Sequence, residues 1–196
     1  TIKIRMTGYR KLMKKVLLVL MFILCLGVSQ AQAADFSKYS NDYKVKAALE
    51  VLENIGSNDV FARLDKNKIK IMFYDLSSID YSYSNHYAVA STDENGENYI
   101  LINEKFKNSP KEAVACLIAH ESVHVLPKAT LEEEVRATTT EVQTWLKVAD
   151  RVSNSNDKLV QREMKLADNY RLSTPSNNTI ANAIASNSFY KNQFGL

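Results

Sequence analysis

The sequence has 196 residues, of which 45% are hydrophobic and 24% charged, and its formal net charge is +3. Six of its 25 basic residues and none of its 22 acidic residues precede Ala34, so the rest of the chain carries 19 basic and 22 acidic residues. The charge of that part is −3, and it has no basic patch of the kind that nucleic-acid binding requires.

The first 33 residues have the three-part layout of a secretory signal peptide. Three lysines (Lys11, Lys14 and Lys15) precede an apolar run from Val16 to Val28, and Ala31-Gln32-Ala33 provides small residues for cleavage. The run is too short for a comfortable membrane span. We therefore expect cleavage after Ala33 and an exported protein, secreted or periplasmic, that is not held in the membrane. The remaining 163 residues suffice for a single domain over 34–196.

The two cysteines exclude several kinds of site. Cys25 lies in the predicted leader behind Leu24, where a lipoprotein signal would have a small residue, so a lipid anchor is the less favoured alternative. Cys116 is the only cysteine after Ala33, which excludes an intrachain disulfide and a metal site built from cysteine alone. We expect Cys116 to be a small core residue.

Apolar periodicity and turn residues predict the elements of the first half. Helical spacing predicts a helix from Asp42 to Ile55 that stops at Gly56, and a short helical turn is expected to follow around Val60–Leu64. Ile69–Tyr74 is a predicted strand. Asn95-Gly96 is a strong turn signal between two further predicted strands, Tyr87–Thr92 and Tyr99–Ile102, and indicates a hairpin.

Two capping boxes mark the helices of the second half. Ser109-Pro110-Lys111-Glu112 predicts a largely buried helix to about Val125, and Thr130-Leu131-Glu132-Glu133 predicts another to about Val152. Further helices are expected at Asp157–Tyr170 and around Thr179–Ser186. The predicted class is α+β, with a small, mostly antiparallel sheet and its hairpin packed on the first of these helices. Three aromatic residues are expected in the core: Trp145, Tyr190 and Phe194.

The strongest functional signal is His120-Glu121-Ser122-Val123-His124, the H-E-x-x-H pattern. Residues four apart on a helix share one face, so both imidazoles can reach a single metal ion. Glu121 lies one position round the helix, where it can deprotonate a water on the metal rather than bind the metal itself. The alternative is a helix that carries two unrelated histidines.

A catalytic zinc normally has three protein ligands. Thr130 stands where a metzincin would have its third histidine, and the remaining histidine, His86, precedes the predicted hairpin. The acidic cluster Glu132-Glu133-Glu134 is the better source of the third ligand. If the helices on either side of Pro127 pack antiparallel, Glu134 faces His120, because each is seven residues from that midpoint. Glu133 is the alternative, although its side chain is expected to fold back onto the Thr130 amide.

The stretch from Tyr99 to about Trp145 resembles a zincin metallopeptidase of the gluzincin kind. The resemblance lies in the predicted strand Tyr99–Ile102, the motif Ala119–His124, and Glu134-Val135-Arg136-Ala137. It implies one zinc ion per chain, bound by His120, His124 and Glu134. It also implies hydrolysis of peptide bonds in a peptide or protein substrate by a zinc-activated water, with Glu121 as the general base. Many gluzincins have an aspartate directly after the alanine that corresponds to Ala137, where this chain has Thr138. The gap of nine residues between His124 and Glu134 is also shorter than in the better-known gluzincins.

The same resemblance implies a further donor that stabilises the oxyanion, and the candidates are His86, Arg136 and Tyr170. It also implies that Tyr99–Ile102 pairs with an extended substrate. Glu141, one heptad after Glu134, is expected to be an exposed helix charge, with a supporting role at the metal as the alternative.

A rival function is a secreted protein that keeps the zincin scaffold but acts as a binding or inhibitory partner without catalysis. The presence of Glu121 argues against it, because a protein that only binds has no use for the general base. A structural zinc site is a third possibility, but it would need a closed shell of four ligands. The chain has no suitable cysteine or fourth histidine.

Overall fold

The computed structural model describes residues 34–124, 130–153, 156–174 and 177–194. The predicted signal peptide lies outside the described residues, and so does Pro127, the midpoint of the predicted helix pair. Among the residues that are described, no helix is long and apolar enough to cross a membrane.

Two helices begin the described chain, α1 (Tyr43–Asn54) and α2 (Asn58–Lys66). The Asp42 carboxylate accepts a hydrogen bond from the Lys44 amide at 2.8 Å and so caps α1. Gly56 follows with a φ of 69°, a left-handed conformation that glycine adopts without strain. The predicted first helix is confirmed, and the predicted turn after it is a complete helix.

The sheet has three strands, β1 (Lys70–Tyr74), β2 (Ala88–Thr92) and β3 (Asn98–Asn103), in the order β1-β3-β2. β3 runs antiparallel to β2 and parallel to β1. The sheet is therefore mixed, and the expectation of a mostly antiparallel sheet is wrong. The segment after β1 leads the chain to the far edge of the sheet, so the hairpin brings β3 back between the two other strands.

The β2–β3 hairpin forms as the Asn-Gly signal predicts. The Asp93 amide donates to the Glu97 carbonyl at 2.9 Å, and the Gly96 amide donates to the Asp93 carbonyl at 3.0 Å. Gly96 alone takes a positive φ in this turn, 80°, whereas Asn95 does not. Such a loop combines an ordinary turn with a glycine in the left-handed region.

Five helices are described after the sheet: α3 (Lys111–Glu121), α4 (Leu131–Leu146), α5 (Lys158–Arg171), α6 (Thr179–Ser186) and α7 (Ser188–Phe194). The capping box predicted for α3 is wrong, because Pro110 is the cap residue and the Ser109 hydroxyl donates to Asp157 at 3.0 Å. The Thr130 cap on α4 is confirmed, since its hydroxyl accepts from the Glu133 amide at 3.2 Å. α4 also ends earlier than predicted, and a 3-10 turn at Ala149–Arg151 follows it.

α3 lies at the centre of the fold. It packs against α1, α4 and α5 and against strands β2 and β3. Every residue from Ala113 to Glu121 is buried, including Cys116. The predicted α+β class and the burial of the motif helix are therefore confirmed. A buried helix end gives polar side chains surroundings from which bulk water is largely excluded.

Candidate metal centre

The two histidines lie at the carboxyl end of α3. The helix ends at Glu121 rather than near Val125, and tighter turns continue to His124. The Val123 amide donates to the His120 carbonyl at 3.0 Å, and the His124 amide donates to the Glu121 carbonyl at 3.2 Å. The two imidazole rings nevertheless stay together, with their centroids 5.2 Å apart.

Glu134, in the first turns of α4, brings its carboxylate to both rings. Its Oε2 lies 3.7 Å from His120 Nε2, and its Oε1 lies 3.6 Å from His124 Nε2. One atom of each of the three side chains lies within 4.8 Å of the others. A tetrahedral zinc with bonds of about 2.0–2.2 Å separates its ligand atoms by roughly 3.3–3.6 Å. The predicted approach of the acidic turn to the histidines is confirmed.

The donor atoms themselves fit a cation. Glu134 Oε2 is buried and has no hydrogen-bond partner among the described residues. A buried carboxylate oxygen without a partner carries a desolvation penalty. A metal ion between this oxygen and the two Nε2 atoms would satisfy it. Two imidazoles and one carboxylate are a donor set that zinc accepts, with one position left for water.

Each histidine is held from behind by a second carboxylate. His120 Nδ1 lies 3.0 Å from Glu141 Oε2, and His124 Nδ1 lies 3.2 Å from Glu133 Oε1. A carboxylate on Nδ1 favours the tautomer with the proton on that atom, so that the Nε2 lone pair is free for a metal. Both lone pairs would then point toward Glu134.

These contacts correct two expectations from the sequence. Glu141 is not an exposed helix charge, because its side chain is 0% exposed. It supplies a carboxylate behind His120. The Glu133 side chain was expected to fold back onto the Thr130 amide, but its carboxylate lies 3.2 Å from His124 Nδ1, and the Glu133 backbone amide donates to the Thr130 hydroxyl. The sequence reasoning did not predict that contact.

Burial and neighbouring charge act in opposite directions on the motif residues. Burial lowers the pKa of His120, but the nearby Glu141 carboxylate raises it more, and the net pKa is about 8. Burial raises the pKa of Glu121, while His120 and His124 oppose that rise. Glu121 thus has the raised proton affinity that a general base near neutral pH requires.

An open cleft of about 370 Å³ leads to the site. Its lining includes His86, Tyr87, His120, Glu121, Arg162 and Tyr190. A larger cavity, about 450 Å³, lies beside Tyr39 and Asn98 and contains none of the motif residues. The smaller cleft can therefore bring a substrate to His120 and Glu121.

Among the three predicted oxyanion donors, only His86 lines this cleft. Burial lowers its pKa, which favours the neutral ring. Arg136 is exposed, and the Tyr170 hydroxyl accepts a hydrogen bond of 3.4 Å from Gln143, away from the cleft. Tyr190, which was expected in the core, lines the cleft instead. Burial raises the pKa of Tyr190, and the nearby Glu134 carboxylate raises it further.

The expectation that Tyr99–Ile102 pairs with an extended substrate is also wrong. β3, which contains Tyr99–Ile102, is paired on both sides and has no free edge. Among the described strands, β2 has β3 as its one neighbour, and Ala88 at its start and the preceding Tyr87 line the cleft. An extended peptide could therefore add to β2 but not to β3.

No protein-family model, curated protein or solved structure matches this chain. The assignment of a function thus depends on the side chains of the site.

Proposed function

We propose that this protein is an exported zinc-dependent metallopeptidase. The observation that carries the proposal is the convergence of His120, His124 and Glu134, each with an atom within 4.8 Å of the others, beside a cleft that His120 lines. Glu121 lines the same cleft directly beside the three candidate ligands. Two of the ligands have carboxylates on their far nitrogens, an arrangement typical of protein metal sites.

Zinc bound to these three residues would act as a Lewis acid that polarises a carbonyl group and lowers the pKa of water. Glu121 accepts the proton of the attacking water and passes it to the leaving amine. Its burial and raised pKa suit both steps. The rival proposal of a binding protein gives this carboxylate no function.

Two other residues of the cleft contribute to substrate binding in this proposal. His86 and Tyr190 line the same cleft as His120 and Glu121 and can donate hydrogen bonds to the oxyanion that forms during hydrolysis. The free edge of β2 pairs with the main chain of an extended peptide, which directs the scissile bond toward Glu121.

The test compares wild-type protein with Glu121→Gln, which keeps the shape of the side chain but cannot act as a base. Metal analysis should find about one zinc per chain in both proteins. A peptide library should be cleaved by the wild type and about 10²–10⁴-fold more slowly by the variant. Equal cleavage by both proteins at full zinc occupancy would exclude the mechanism.

Two further outcomes separate the competing functions. Zinc binding without cleavage of any peptide by the wild type would favour the binding protein. Two histidines and a carboxylate also suit iron(II) in oxygenases, so the metal that copurifies with the protein distinguishes that class from a zinc hydrolase.

A further inference from the structure

Arg162 on α5 joins the candidate metal centre to the core. Its guanidinium donates through Nη1 to Glu141 Oε1 and through Nη2 to Glu141 Oε2, the second at 3.1 Å. Nη1 also donates to Glu163 Oε1 at 2.7 Å. The guanidinium carbon lies 4.5 Å from the centre of the Tyr87 ring. Arg162 is therefore fixed by two carboxylates and one aromatic face.

The direction of these hydrogen bonds determines the state of His120. Arginine has donors only, so both oxygens of Glu141 act as acceptors. Oε2 accepts from Arg162 and is also the atom that lies 3.0 Å from His120 Nδ1. His120 must then donate from Nδ1. Its Nε2 is left unprotonated in the neutral ring, facing Glu134.

We propose that Arg162 is a positioning residue of the metal centre, which acts through Glu141 to fix the tautomer and orientation of His120. The inference rests on the proposed zinc site. It connects three helices in one line, because Arg162 lies on α5, Glu141 on α4 and His120 on α3. The charge of Arg162 also lets Glu141 remain an ionised acceptor inside the core.

A purely structural ion pair between α4 and α5 would have different consequences. Removing it would loosen helix packing and lower the stability of the protein. It would not change which nitrogen of His120 carries the proton. The decisive measurements are therefore the tautomer of His120 and the coupling between Arg162 and Glu141 in zinc affinity.

The first experiment measures zinc affinity by competition with a chelator. Arg162→Met should weaken binding by about 10-fold or more, as losses in the hydrogen-bonded surroundings of metal ligands usually do. Glu163→Gln is the matched control, because it changes the other partner of the same guanidinium, and its affinity should stay within about threefold of wild type. In a Glu141→Gln background, Arg162→Met should have little further effect, since the two residues act in series.

The second experiment uses nitrogen-15 NMR on the metal-free protein at about pH 10, far enough above the His120 pKa of about 8 for nearly all of the rings to be neutral. Wild-type His120 should carry its proton on Nδ1, and Arg162→Met should show a mixture of tautomers. If Arg162→Met does not fold, Arg162→Lys, which keeps the charge but loses the two-pronged contact, replaces it and should show an intermediate affinity and a mixed tautomer.

Three results would overturn the inference. They are a proton on Nε2 in the wild type, an unchanged His120 tautomer and zinc affinity in the folded variants, and fully additive effects of Arg162→Met and Glu141→Gln. Failure of the wild type to bind zinc would instead remove the proposed function. The NMR measurement would still decide whether Arg162 controls His120.

Discussion

Three consecutive glutamates in α4 have three different environments, and this is where the metal assignment is tested most directly. Glu132 is exposed, Glu133 contacts His124 Nδ1, and Glu134 lies between the two Nε2 atoms. Glu134→Ala should abolish tight zinc binding because it removes a ligand. Glu133→Ala should weaken binding by about 10–100-fold through His124. Glu132→Ala should leave binding unchanged.

Chelator competition on the three alanine variants measures this order. Glu132→Ala is the matched control, since it has the same chemistry in the same helical turn without contact to the site. If Glu133→Ala releases the zinc and Glu134→Ala retains it, the ligand assignment is wrong by one residue. Glu133→Ala should keep the Thr130 cap, because the Thr130 hydroxyl accepts from the Glu133 backbone amide, which alanine retains.

Glu163 provides a pH-dependent test that does not involve the metal ligands. Burial raises its pKa well above the usual value of 4.5, and the nearby Glu141 raises it further, while Arg162 opposes the shift. An acid whose pKa is raised by folding contributes its full stability below pH 4.5 and loses it as the pH rises toward the folded value. Wild-type protein should therefore become less stable than Glu163→Gln as the pH increases above about 4.5.

Urea unfolding of both proteins in the presence of a chelator, at several pH values, measures this difference. The gap in unfolding free energy should grow by up to about 1.4 kcal/mol for each pH unit until Glu163 ionises in the folded protein. A gap that does not change with pH would mean that Glu163 is ionised or solvated in the folded state.

At the scale of elements, local signals in the sequence predict the helices and the hairpin well. Gly56 and Asn95-Gly96 act on their own backbone, and the Thr130 cap needs only the next three residues. The predicted cap at Ser109 is wrong because the Ser109 hydroxyl donates to Asp157, which is 48 residues away in the sequence. The prediction of a mostly antiparallel sheet is also wrong because of distant parts of the chain. The position of β3 between β1 and β2 depends on the path of the whole segment after β1.

The residues of the candidate site also separate into those that a local pattern predicts and those whose position depends on distant parts of the chain. His120, Glu121 and His124 form a local pattern, and the position of Glu134 was predicted from antiparallel packing of two helices that follow each other in the sequence. Burial of Glu141 cannot be read from its own helix, because it depends on Arg162 of α5, which supplies the opposite charge. The position of Glu141, two helical turns after Glu134 on the same side, is the only signal in the sequence that could have indicated its function.

At the scale of the whole molecule, the proposed zinc site joins two helices, α3 and α4, that pack against each other. Two of its ligands come from the end of α3 and one from the start of α4, with support from Glu141 and, through it, from α5. A metal that binds only the folded arrangement stabilises it by mass action, by about 2.7 kcal/mol at a zinc concentration one hundred times Kd. This corresponds to a rise in Tm of roughly 5–10 °C for a domain of this size.

Thermal unfolding with zinc and with a chelator measures that rise, and the variants assign it to the site. Glu121→Gln should keep the zinc-dependent rise, because Glu121 is not a ligand. Glu134→Ala should lose nearly all of it, because two histidines alone bind zinc weakly and no longer tie α4 to α3. An equal rise in Glu134→Ala and wild type would show that zinc stabilises the protein from another position, and Glu134 would then have no part in metal binding.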